Sequence, residues 1–191
     1  MYFPDDMTFQ YFFFSTYIGY FLQALPIALA VGALYGLLRF RKDTETPLRR
    51  KLFSCAFVCY LTGLVCLVIG LDLMGIFYHN LFYPFASGRE IRWFGGEFDL
   101  VPDFYRRLSG EVIGNFLMFL PFGILCPLSL EKPAWTKCTL GGLAAVVVIE
   151  LLQPIFGRAF DMNDIILNSL GVVVSTTLFM GAKKAISHFS H

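Results

Sequence analysis

The chain of 191 residues is short of charge: only 15% of it is Asp, Glu, Lys or Arg, against about 25% in an ordinary soluble domain. Neither sign is in excess, since fifteen Lys and Arg stand against fourteen Asp and Glu, for a formal charge of +1. No basic field is present to draw the protein to nucleic acid, and no nucleic-acid partner is expected. The five cysteines, Cys55, Cys59, Cys66, Cys126 and Cys138, form no CxxC pair and lie inside apolar runs, which argues against a zinc centre or a disulfide framework. Signatures of soluble enzymes are missing as well: there is no HExxH, no phosphate loop and no Ser–His–Asp set. The three histidines, His79, His188 and His191, fall at helix ends or in the tail, where solvated or interfacial roles suit them better than catalysis. What is plentiful is hydrocarbon. With 57% hydrophobic and 17% aromatic residues, the composition excludes both disorder and an ordinary water-soluble domain.

The few charges are gathered into short segments, and the stretches between them are long enough to cross a bilayer. No charged residue occurs from Met7 to Leu38, from Leu52 to Leu71, from Val112 to Leu130 or from Ile165 to Ala182; Cys138 to Gly157 is interrupted only by Glu150. About 20 apolar residues of helix span a hydrocarbon core of about 30 Å. The expected fold is therefore all-α, a polytopic transmembrane bundle of five spans near 11–38, 52–77, 112–130, 138–157 and 164–182, forming one membrane domain over 1–191. The first run is read as a span and not as a cleaved leader, because no Lys or Arg precedes it and it exceeds an h-region of about 7–15 residues.

Short cytoplasmic loops carry the excess of Lys and Arg. The loop RFRKDTETPLRRK holds Arg39, Arg41, Lys42, Arg49, Arg50 and Lys51, so it is expected inside. Alternate threading then places Lys132, Lys137, Lys183 and Lys184 inside too, with the amino terminus out and the carboxy terminus in. Arg89, Arg92, Arg106, Arg107 and Arg158 are left outside. Most of these lie in the segment 78–111, whose Tyr78, Tyr83, Trp93, Phe94, Phe98, Phe104 and Tyr105 suit an outer loop lying along the headgroup level.

The polar residues of the last three spans converge. Asn115 sits near the start of the third span, Glu150 and Gln153 late in the fourth, and Arg158, Asp161, Asp164 and Asn168 lead into the fifth, all at the outer end. At a rise of about 1.5 Å per residue, Glu150 lies roughly 18 Å from the inner end of a span starting at Cys138. Glu150 and Gln153 are three positions apart, as are Asp161 and Asp164, and Asn168 follows four later, so each set projects from one helical side. Two readings stand side by side. A carboxylate within a span is costly and marks a functional site by default; the same residues also suit a brace, with Arg158 pairing Asp161 or Glu150 and the asparagines joining helices. Pro121 and Pro154 are expected to bend their helices and open backbone carbonyls beside the cluster.

At these residues the sequence resembles the VanZ-like family of small polytopic membrane proteins, whose namesake is associated with low-level teicoplanin resistance in Gram-positive bacteria. The resemblance covers about the carboxy-terminal half. It rests on NFLMFLPFG, with Asn115, Phe119, Pro121 and Gly123; on ELLQ, with Glu150 and Gln153; and on RAFDMNDIILNSLG, with Arg158, Asp161, Asp164, Asn168 and Gly171. A family segment like NLxPF before the third span corresponds here to Asp99, Leu100, Val101, Pro102 and Asp103, and a small residue four positions after Gly171 is Ser175. The resemblance implies a role in the bacterial cell envelope bearing on lipoglycopeptide antibiotics.

From the residues themselves, the expected activity is binding at the outer leaflet. Arg158, with Arg106 or Arg107, would hold phosphate or carboxylate; Glu150, Asp161 and Asp164 would accept hydrogen bonds or hold a divalent cation; Asn115, Gln153 and Asn168 would read polar edges. A membrane lipid, a peptidoglycan precursor and a lipoglycopeptide all suit such a site. No catalytic residue is singled out. An intramembrane enzyme acting on a lipid-linked substrate, or a small lipid or ion transporter with Glu150 as its ion site, are the alternatives.

Overall fold

The computed structural model describes residues 8–43, 45–84, 93–106 and 110–189. Within them the chain forms eight α-helices, α1 (Phe9–Ser15), α2 (Tyr17–Lys42), α3 (Leu48–Val68), α4 (Leu71–Phe82), α5 (Gly110–Met118), α6 (Leu120–Ser129), α7 (Trp135–Leu152) and α8 (Met162–Phe189). A 3-10 turn covers Gln153–Phe156, and two short strands, β1 (Phe98–Asp99) and β2 (Phe160–Asp161), pair in parallel. Five stretches are long and apolar enough to cross a membrane: Tyr17–Arg41, Leu48–Val68, Val112–Ser129, Trp135–Phe156 and Met162–Ser187. The protein is an all-α, membrane-spanning helical bundle.

The spans begin and end where backbone hydrogen bonding, not hydropathy, dictates. The first starts at Tyr17 and not at residue 11, because the Thr16 hydroxyl accepts from the Gly19 N–H at 3.0 Å and so caps α2, leaving α1 as a separate short helix. The second stops at Val68. After the turn at Ile69–Gly70 a distinct helix, α4, continues to Phe82, so the expected span 52–77 is two helices and the connection expected from residue 78 starts later. Phe9, Phe13, Tyr78 and Phe82 then stack α4 on α1. The third span is broken at Phe119, ahead of Pro121, which has no N–H to continue α5. Beside the break, the Met118 carbonyl accepts from the Tyr60 hydroxyl at 2.9 Å.

Helix α8 lies against α5, α6 and α7, α3 packs on α6, and α2 packs on α3. The core is made of Leu64, Val68, Phe119, Phe122, Val146, Ile149 and Val172, while Leu34, Leu37, Leu140 and Leu178 are exposed, as lipid-facing side chains are. The close approach of α6 to α8 depends on Gly123: a Cβ there would run into Ser175 and the backbone N–H of Thr176. Gly142 meets Val172 in the same way, whereas a Cβ on the neighbouring Gly141 would meet nothing within 4 Å. Gly123→Ala is therefore expected to cost about 1–3 kcal/mol, and Gly141→Ala to leave thermal unfolding in detergent unchanged or slightly raised. Equal melting of the two variants would contradict this packing.

The two ends of the bundle differ in charge. At one end Arg49, Arg50 and Lys183 line a cleft of about 500 Å³. The loop from α2 to α3 is pinned there by Asp43, whose carboxylate accepts from the Thr46 hydroxyl at 2.6 Å and its N–H at 3.0 Å. These bonds, aided by Arg39 at 3.3 Å, hold the Asp43 carboxyl below its ordinary pKa.

Candidate functional site

At the other end, where α2 and α8 begin and α3 and α7 finish, the polar residues of three helices meet. Asn115 on α5, Glu150 on α7, Arg158 in the following loop and Asp164 and Asn168 on α8 all line one cavity of about 420 Å³. Its other walls include Tyr17, Tyr20, Leu67, Val68, Met118 and Gly114. The spacing argument thus places Asp164 and Asn168, four apart, on the cavity side of one helix.

Glu150 is wholly buried, and its Oε1 accepts from Gln153 Nε2 at 2.8 Å. The 3-10 turn sets this contact: Pro154 has no N–H to continue the α-helix, and Gln153 turns back on Glu150. Oε2 is buried without a hydrogen-bond partner at full bonding geometry, although the Asp161 backbone N–H lies toward the carboxyl. Asn168, also buried, has an Oδ1 without a partner among the described residues. Leaving a buried acceptor unsatisfied costs about 1–3 kcal/mol. Two such oxygens belong to residues lining the same cavity.

Arg158 is placed by Gly157, whose φ of 77° is the left-handed conformation that ends the 3-10 turn. Its guanidinium donates to the Leu67 carbonyl at 3.4 Å and forms no ion pair among the described residues. The pairing of Arg158 with Asp161 or Glu150 that a brace requires is not made. Another part of the brace is: Asn115 Nδ2 donates to Asp164 Oδ1, joining α5 to α8.

Asp161 and Arg106 go elsewhere. Both line a neighbouring cavity of about 260 Å³, with Asp99, Asp103 and Asn163, while Asn115 and Asp164 border both cavities. Asp161 is turned by the bond that its Oδ1 accepts from the Asn163 N–H at 2.7 Å, opening α8. Glu150 and Asp161 therefore line different cavities. Among the described residues no three His, Cys, Asp or Glu are placed to hold a metal ion, so the trio Glu150, Asp161 and Asp164 is not assembled as a cation site. Arg107, Arg89 and Arg92 lie outside the described residues.

Several contributors were not read from the sequence. Asn163 ties the backbone at Asp103 and Phe104 to the start of α8. Its Oδ1 accepts from the N–H groups of Asp103 and Phe104, at 2.8 and 3.1 Å, and its Nδ2 donates to Asp103 Oδ1 at 3.1 Å. Parallel pairing sets Phe98 beside Phe160 and Asp99 beside Asp161, and the repeated Phe-Asp dipeptide was the signal for it. Gly96 passes so close to Pro154 and the Arg158 carbonyl that a Cβ has no room. Tyr17 and Tyr20, three apart at the start of α2, carried the signal of an interfacial aromatic pair.

Comparison of the chain with curated proteins and with solved structures gives no match. A family model described as VanZ/LLP1 matches residues 57–184. That match takes in more than half of the chain and every residue lining the two cavities except Tyr17 and Tyr20, and on it the protein belongs to the VanZ/LLP1 family.

Proposed function

We propose that this VanZ-like membrane protein binds the polar head of an envelope constituent at the outer leaflet of the bacterial cytoplasmic membrane, and by doing so contributes to teicoplanin-type glycopeptide resistance. One observation carries the reading: the buried, unpartnered oxygens of Glu150 and Asn168 belong to the same cavity as a guanidinium that has no ion pair among the described residues. A structural brace saturates its own groups, and among the described residues this cluster leaves two buried acceptors without a hydrogen bond and a guanidinium without an ion pair. The complementary ligand offers hydrogen-bond donors, as hydroxyl, amide or ammonium groups, next to a phosphate or carboxylate. Envelope lipids, peptidoglycan precursors and lipoglycopeptides share this chemistry.

Charge supports outer placement. The basic loop carrying Arg49 and Arg50 lies at the end of the bundle opposite the cavity, and cationic ends stay in the cytoplasm. In this arrangement Arg158 holds the anionic group, Glu150 and Asn168 accept from the donors, and Asn115 fixes Asp164 at the rim between the two cavities.

The test is teicoplanin and vancomycin susceptibility of a sensitive Gram-positive host expressing the wild-type chain, Glu150→Gln or Asp161→Asn at matched membrane abundance. Protection against teicoplanin by the wild type, lost in Glu150→Gln, is the expected result. A wild type that gives no protection contradicts the resistance role, and a Glu150→Gln variant that protects as well as wild type returns the carboxylate to a structural part.

A further inference from the structure

Two cavities of opposite chemistry share a wall. Leu67 and Met118 border the polar cavity, and the same two side chains border an apolar groove of about 340 Å³ between α2 and α3. Its other walls include Phe21, Leu25, Leu29 and Leu64, and the hydroxyl of Tyr60, which also lines it, is already engaged with the Met118 carbonyl. Both volumes fall within the range of small-molecule sites, about 300–1,000 Å³.

The two spaces follow one another in order along the same helices. On α2, Tyr17 and Tyr20 line the polar cavity and the residues from Phe21 to Leu29 line the groove; on α3, Leu67 and Val68 give way to Leu64, Gly63 and Cys59. Eight residues of helix on each side are about 12 Å of depth, most of one leaflet of a hydrocarbon core of about 30 Å. The space exists because Ala24, Ala28 and Gly63 are small: a Cβ added to Gly63 would meet only that of Ala28, at 3.8 Å.

We infer that the ligand of the polar cavity is a membrane lipid, held by its head at Glu150, Asn168 and Arg158 with one hydrocarbon chain lying in the groove between α2 and α3. The inference rests on the ligand-binding reading of the polar cavity and narrows its ligand from any polar envelope group to a lipid. A ligand with no chain leaves the groove unused, whereas an interfacial head joined to a chain along the membrane normal fills both spaces in sequence. The unpartnered acceptors choose an ammonium or hydroxyl donor on the head, and the Arg158 guanidinium chooses its phosphate.

The test measures binding to the full chain in detergent, by native mass spectrometry. Dioleoyl phosphatidylethanolamine and dioleoyl phosphatidylglycerol are compared with glycerophosphoethanolamine and glycerophosphoglycerol, which keep the heads and lack the chains. At least one lipid is expected to bind about tenfold or more tighter than its deacylated form, since a few buried methylenes suffice for that factor. Gly63→Leu, which fills the groove, removes this advantage and leaves the deacylated compound's affinity alone; Glu150→Gln weakens both. Equal affinity for lipid and deacylated head in the wild type overturns the inference, as does failure to bind either lipid. If Glu150→Gln weakens binding and Gly63→Leu does not, the head site stands and the chain path is wrong. If Glu150→Gln changes nothing, the polar-site reading itself fails. Cys59 supplies a readout that needs no variant, because it lines the groove. Bound lipid is expected to slow its alkylation by N-ethylmaleimide, read by peptide mapping, while the deacylated head does not. Equal rates contradict the chain's presence.

Discussion

Glu150→Gln is expected to melt close to wild type and to lose about tenfold or more in affinity for the lipid head, a factor worth about 1.4 kcal/mol. The two effects separate because the substituted amide keeps an oxygen where Gln153 Nε2 donates at 2.8 Å, so the buried pair survives. The acceptor at Oε2 does not survive: with the amide oxygen held by Gln153, the amide nitrogen stands in its place, and the ligand's donors meet another donor. Glu150→Leu is expected to lose both properties, since it strands the Gln153 amide, itself buried, at a cost of about 1–3 kcal/mol. Thermal unfolding in detergent and lipid binding on the same samples check this. A Gln variant that binds normally but melts early would mean that the carboxylate is a brace.

Arg158→Ala is the second large effect. The guanidinium makes one long hydrogen bond, to the Leu67 carbonyl at 3.4 Å, and no ion pair among the described residues, so its removal is expected to cost at most about 1 kcal/mol of stability. Binding of a phosphate-bearing lipid is expected to fall by about tenfold or more, because charge-assisted contacts to the ligand are lost together. Arg158→Lys restores the charge without the planar fork and should recover only part of the affinity. The measurement is native mass spectrometry with phosphatidylglycerol and phosphatidylethanolamine. Full recovery by lysine, or no loss in the alanine variant, would show that Arg158 does not grip the phosphate.

Side-chain transfer energies carried the reading of the fold, and they gave the five spans because crossing a bilayer is a matter of apolar length. They could not give the breaks. Thr16, Gly70 and Phe119 interrupt runs that carry no charge, and what decides there is a cap, a turn or a proline without an N–H. Helical periodicity likewise brought Asn115, Glu150, Asp164 and Asn168 to one cavity, which Arg158 reaches from the loop after the 3-10 turn. Asp161, which precedes α8 and whose direction is set by its bond to the Asn163 N–H, shares the neighbouring cavity with Asp164 and does not line the one with Glu150. Arg106 lines that neighbouring cavity with it. The aromatic walls Tyr17 and Tyr20 were hidden by the abundance of aromatic residues around them. Of the glycines, the sequence singled out Gly123 and Gly171 through the motifs around them; their reason is the close approach of α8 to α6 and α5.

The most direct measurement is the reactivity of a cysteine at Gly114. This residue lines the polar cavity, and a Cβ there meets nothing within 4 Å, so Gly114→Cys reports on the cavity without displacing its walls. In a chain whose native cysteines are replaced, Gly114→Cys in intact Gram-positive cells is expected to react with a membrane-impermeant thiosulfonate. Glu45→Cys, in the basic loop at the other end, is expected to react only after permeabilisation. The reverse pattern would place the cavity on the cytoplasmic face, and an unreactive Gly114→Cys in both conditions would mean a sealed polar brace with no room for a ligand.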